Sequence, residues 1–152
     1  MKGMSLIVKS VTRLVTAFIA IFGINLILFG HLTPGGGFPG GVVLAFTLIL
    51  MVLAFGREYE ANFFTTLAAG IWDGVGALTF LCVGLVGYLA GTFFVNFLFS
   101  EGAVTQPFGL FSAGSVLISN VAIGLKVGAS LFLAFMAVAG FRVGPGEDKE
   151  RA

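Results

Sequence analysis

Lys126 is the residue whose type and place point most directly to chemistry. It stands in an apolar segment, residues 116–141, that contains no other Asp, Glu, Lys or Arg. Read as a helix, the segment centres near Ala129, so Lys126 lies about 4–5 Å from its midpoint along the axis. An ammonium at that depth in a bilayer costs about 2.5–3.5 kcal/mol on insertion scales. It lies too deep to reach the interface comfortably. Ser119 and Ser130, at i−7 and i+4, share its helical face. Such a lysine serves as a proton or cation relay, as a fixed charge paired with a carboxylate, or as a structural salt bridge to another chain. No acidic residue of the sequence is expected at matching depth, so the carboxylate is expected on another subunit.

His31 precedes a run of glycine and proline: Leu32-Thr33-Pro34-Gly35-Gly36-Gly37-Phe38-Pro39-Gly40-Gly41. Imidazole exchanges protons near neutral pH, so His31 could move protons; the alternative is a residue that caps or anchors a helix end. The backbone amides of the run are uncovered by side chains. Pro39 suits a first helical turn, and N–H groups at a helix start attract negative charge or carbonyl oxygens. The run is either such a site or a tight turn that needs glycine for steric reasons. It is not a phosphate-binding P-loop, because no Gly-Lys-Ser/Thr follows.

Asp73 is expected at the end of its span, where it collects cations or caps the helix start. Glu101 is either a cation entry point or a solvated loop charge. Asn25, Thr47, Thr79 and Asn96 read as packing groups able to bond across helices, and Cys82 as buried and inert. One cysteine and one histidine are too few for a disulfide scaffold or a protein-only metal site. No Ser-His-Asp set, paired carboxylates, or haem or iron–sulfur ligand set is present. No cofactor is expected in this chain.

The elements that position these residues follow from composition. Of 152 residues, 58% are hydrophobic and 10% charged, with net charge +1. A soluble domain carries about 25% charged residues. A soluble enzyme is therefore excluded, as is a disordered or nucleic-acid-binding chain. No Asp, Glu, Lys or Arg occurs between Arg13 and Arg57. That gap exceeds one helix and is broken by the Gly-Pro run, which no helix interior tolerates. The reading is all-α, one membrane domain over residues 1–152. Its spans lie near 7–30, 41–56, 71–99 and 116–141, with a Gly-rich hairpin at 31–40 and a polar tail at 142–152. The second span is short for a hydrocarbon core about 30 Å thick, and the third is long enough to tilt. Residues 57–70 mix aromatic and polar types and suggest an interfacial turn or short amphipathic helix.

Lys and Arg fall at both ends and at Arg57 between the second and third spans, whereas the other two loops have none. The positive-inside rule then puts both termini and the middle loop in the cytoplasm. The first apolar stretch is longer than a signal-peptide h-region and lacks an A-x-A site, so a cleaved signal is not expected. Small residues four apart, Gly70/Gly74, Gly87/Gly91 and Gly124/Gly128, let helices approach closely in lipid, within the chain or against partner subunits. The 18 phenylalanines are read as lipid-facing or core filler.

The pattern His31-x-x-Pro34-Gly35-Gly36-Gly37-Phe38-x-Gly40-Gly41, with Ile123-Gly124-Leu125-Lys126-Val127-Gly128 after it, resembles the B subunit of Mrp-type (Mnh) multisubunit sodium/proton antiporters. The same family supplies a small membrane subunit to archaeal membrane-bound hydrogenases and sulfane-sulfur reductase complexes. The resemblance covers nearly the whole chain. Leu32 departs from the Asn common in bacterial versions and is closer to the archaeal respiratory ones. The resemblance implies a non-catalytic membrane subunit of a Na+/H+ antiport module, contributing to cation/proton translocation with other membrane subunits, in the cell membrane. Na+ and H+ would be the complex's cargo. The alternatives are the same module in a redox-driven respiratory complex, a pure scaffold, and a free-standing channel.

Overall fold

A computed structural model describes residues 4–56, 65–89, 91, 94 and 114–141. Four helices account for most of them: α1 (Leu6–Leu28), α2 (Gly37–Phe55), α3 (Thr66–Leu89) and α4 (Ser115–Phe141). At ~1.5 Å per residue they rise about 34, 28, 36 and 40 Å, against a hydrocarbon core about 30 Å thick. All four are long and apolar enough to cross a membrane. The described residues contain no strand, so the all-α, four-span reading holds.

The helices pack as a row rather than a closed bundle. α1 lies on α2, α2 on α4, and α4 on α3, with a lighter contact between α1 and α4. Most of the residues in the seams are small: Ala45, Ala54, Ala69, Ala122 and Ala129 are buried, as are Gly23, Gly40, Gly41, Gly76, Gly124 and Gly128. Large apolar side chains such as Leu6, Phe18, Leu78 and Leu85 point outward. This is the distribution expected where lipid is the solvent, because burying leucine gains little and close backbone approach gains much. Among the described residues the largest fully buried side chain is Phe132. It packs with Ala69 and Met136 where the end of α2 (Leu48, Ile49, Val52) meets the start of α3.

Three boundaries differ from the sequence reading. α2 starts at Gly37 rather than 41, so most of the glycine run is helix. Pro39 is the third residue of that helix, where its missing N–H is one of four that have no helical partner anyway. The turn proper is short. Leu32 and Thr33 N–H donate to Phe29 O, and Gly36 N–H donates to Leu26 O at 3.2 Å. α3 starts at Thr66 rather than 71, with Thr65 Oγ accepting the Ala68 N–H at 3.2 Å as its cap. It is described to Leu89, short of the expected 99, with Gly91 and Phe94 beyond it in turns. Residues 57–64, Asn96, Glu101 and the tail lie outside the described residues.

Gly36 precedes α2 at φ 130°, ψ −174°, a region essentially reserved for glycine. Gly36→Ala is expected to destabilise the chain by about 1–3 kcal/mol, read as a lower midpoint in detergent unfolding. A Gly35→Ala control should lose less, since Gly35 has no such backbone angle.

Candidate functional site: an ion pair between two spans

The α3–α4 seam is antiparallel and tight. Ala69 packs near Phe132 and Met136, while a Cβ added at Gly76 would meet Ala122 O and Lys126 N at 2.8 Å. With the two backbones that close, a short aspartate on α3 reaches the polar side chains of α4. Lys126 Nζ donates to Asp73 Oδ1 at 2.9 Å. Ser130 Oγ donates to the same oxygen.

This corrects the expectation that the carboxylate belongs to another subunit. A span that starts at 71 sets Asp73 near its end. With α3 starting at Thr66, Asp73 is more than one turn deeper, and the seam sets it level with residues 126–130 of α4. The midpoint of α4 falls at Gly128, so Lys126 sits within about 3 Å of mid-span along that axis, and Asp73 about 7 Å from the midpoint of α3. Nor does Asp73 cap the helix; Thr65 does. Ser119 donates to Ser115 O of its own helix and takes no part in the pair.

The pair is not enclosed. Lys126 is 46% and Asp73 31% exposed, so both charges reach the outer surface of a membrane-spanning row. On the other side of the seam the surface is apolar. A groove of about 140 Å³ is lined by Leu44 and Leu48 of α2, Trp72 of α3, and Leu125 and Ala129 of α4. Successive helical residues diverge by about 100°. Trp72 and Asp73, and likewise Leu125 and Lys126, therefore point to different faces.

The hairpin motif forms a separate structure. Gly37 faces Asn120 and Ile123, and Gly41 faces Gly124 and Val127, so α2 and α4 run parallel with glycine on both sides. Gly40 turns the other way, against Ile27 and Gly23 of α1. Gly36 is buried beneath the turn, whereas Pro34, Gly35 and Phe38 are exposed. His31 is half-buried in the turn. Gly37 lies level with Asn120, and Lys126 is six residues farther along α4, about 9 Å of rise. The structure thus brings Asp73 to Lys126 but leaves His31 a separate feature at the hairpin end.

Sequence reasoning misses the Gly37/Gly41 pair, which has the same four-residue spacing as Gly124/Gly128 and faces it. The spacing is in the sequence, but the run around it also reads as a turn. Thr47 and Thr79 bond the Val43 and Val75 carbonyls of their own helices rather than crossing seams. Asn25 is exposed. Cys82 is exposed rather than buried, because α3 has a neighbour on one side and position 82 faces away from it.

Residues 7–133 match a family described as a domain related to the MnhB subunit of Na+/H+ antiporter. An uncharacterized protein of Methanocaldococcus jannaschii is 35% identical over 135 residues, 84% of this chain and 50% of that protein. The B subunit of the Na+/H+ antiporter of Bacillus subtilis is 34% identical over 88 residues, 52% of this chain and 62% of that one. Among solved structures, a chain of the membrane-bound sulfane sulfur reductase, an archaeal respiratory membrane complex, superposes with a TM-score of 0.68. It is 34% identical, over 86% of this chain and 56% of that chain. The chain thus spans about 50–62% of the length of these relatives. With the match running from α1 into α4, the chain belongs to the family of domains related to the MnhB subunit of Na+/H+ antiporters.

Proposed function

We propose that the chain is a membrane subunit of a multisubunit Na+/H+ antiport module and lies beside the path of its ions. The observation that carries this reading is the Lys126–Asp73 pair, half-exposed at mid-span. Lipid does not solvate such a pair, so charged side chains there face a neighbouring protein or a water-filled cavity. The pair is neutral when closed. A proton on Asp73, or a cation beside it, opens the pair and leaves the Lys126 ammonium to act on the next carrier. In this way the chain couples the two ion movements without running an exchange cycle alone. Its role is transport rather than catalysis, with Na+ and H+ as cargo and other membrane subunits as partners. The hairpin motif shapes the neighbourhood by locking α1, α2 and α4 together. Pro34, Gly35 and Phe38, on the exposed face of the turn beside His31, are the part available to a neighbouring subunit or to the water-facing end of the path. Lys9 and Arg13 at the far end of the α1–α2 pair favour a cytoplasmic position for that end, in the cell membrane.

A second reading puts the same chain in a redox-driven respiratory complex. The likeness to the sulfane sulfur reductase chain favours it. Purification from native membranes in mild detergent, followed by mass spectrometry, separates the two. Antiporter subunits alone are expected for secondary transport, and additional flavin or iron–sulfur subunits for electron-driven transport. A chain that purifies alone overturns both.

A further inference from the structure

We propose that Lys9, Arg13 and Phe55 form a binding site for the phosphate of an anionic membrane lipid. The inference concerns the end of the molecule opposite the hairpin and does not depend on what the complex transports.

The site is set by how α1 meets α2. The Met4 N–H donates to Ala54 O at 3.0 Å, tying the entry of α1 to the end of α2. Farther along, Thr16 Oγ contacts Met51 Sδ at 3.5 Å. Between these ties, Lys9 and Arg13 sit one turn apart and reach the same ring. Lys9 Nζ is 5.8 Å and Arg13 Cζ 5.5 Å from the Phe55 centroid. An aromatic face attracts each cation, but it carries no net charge and leaves their mutual repulsion standing. Among the described residues the acidic side chain is Asp73, and it is engaged with Lys126 in another seam. The described groups therefore leave two positive charges together without an anion.

The depth fits a lipid headgroup. Phe55 is the last residue of α2 and Lys9 the fourth of α1. In a membrane-spanning chain these positions lie at the interface, where anionic headgroups attract basic side chains. A phosphodiester has two free oxygens and one negative charge. The guanidinium can take both oxygens in a fork, and the ammonium can add a point charge.

The test uses the full chain in its purified complex, with lipid retention read by native mass spectrometry after exchange into phosphatidylglycerol or phosphatidylcholine. Phosphatidylglycerol is expected to be retained preferentially. Each cation near an anionic surface contributes about a fivefold effect. Lys9→Gln/Arg13→Gln should therefore lower affinity for phosphatidylglycerol by about 25-fold, while Lys9→Arg keeps it and controls for folding. Equal retention of both lipids, or unchanged affinity in the double variant, overturns the proposal. So does inorganic phosphate that binds the delipidated complex as tightly, which would make the site one for a soluble anion. A crosslink from Lys9 to a carboxylate of another subunit, or to Glu58 or Glu60, in a complex that retains no lipid also overturns it.

Discussion

Lys126→Ala is expected to leave the complex assembled and to reduce cation/proton exchange by about 100-fold, read in everted vesicles by dye quenching. The size follows from the cost of a lone charge at mid-span, about 2.5–3.5 kcal/mol on insertion scales, if most of it appears in the transport barrier. Removing the ammonium strands Asp73, and Asp73→Asn strands Lys126, so each single variant should fail. The double variant should fold better than either, because no unpaired charge remains, yet should not transport. Exchange of Lys and Asp between the two positions restores the closed pair and separates charge pairing from chemistry. A pair that is only a fastening tolerates the swap; a relay whose carboxylate must face its carrier does not. Normal exchange by Lys126→Ala would make the chain a scaffold. Loss of the chain from the complex would make the pair a structural one.

The second large effect lies in glycine. A Cβ at Gly41 would meet Gly124 O at 2.7 Å and Val127 Cβ at 2.9 Å, and one at Gly37 would overlap the backbone of Asn120. Backbone cannot move aside as a side-chain tip can. Gly41→Ala is therefore expected to destabilise the chain by about 3 kcal/mol or more, at the upper end for overpacking, and Gly37→Ala similarly. Gly70 and Gly74 look alike in the sequence but have nothing within 4 Å. There alanine should raise stability of the isolated chain by up to about 1 kcal/mol through helix propensity. Unfolding of the four variants in detergent checks the contrast. If Gly70→Ala or Gly74→Ala instead blocks assembly, that face of α3 is where a neighbouring subunit sits.

Hydrophobicity makes four spans legible, because the gaps between charges are long and apolar. Their boundaries are less legible where glycine and proline carry two meanings. The run from Gly35 to Gly41 reads as a hairpin by propensity, yet from Gly37 on it is helix. Propensity loses to packing, since only residues without a side chain let α2 lie on α1 and α4 together. Lys126 is legible as a charge out of place. Its partner is not, because the depth of Asp73 depends on where α3 begins, and a five-residue error there moves a carboxylate by about 7.5 Å, from inside the span to the membrane edge. The face of Cys82 is illegible for a different reason. Which side of an apolar helix meets protein and which meets lipid leaves little mark when both are apolar.

The order of helices in the row bears on how the chain is made. Synthesis proceeds α1, α2, α3, α4, but α4 ends up between α2 and α3. From Phe55, where α2 ends, to Phe141, where α4 ends, a ribosome adding about 5–20 residues per second needs about 4–17 s. Through that interval the Gly37/Gly41 face of α2 waits in the bilayer or the insertion machinery for a helix not yet made, and the Asp73 carboxylate joins it once α3 is synthesised. The chain therefore passes through a three-helix stage with an unpaired acid, and Lys126 supplies its partner only when α4 is made.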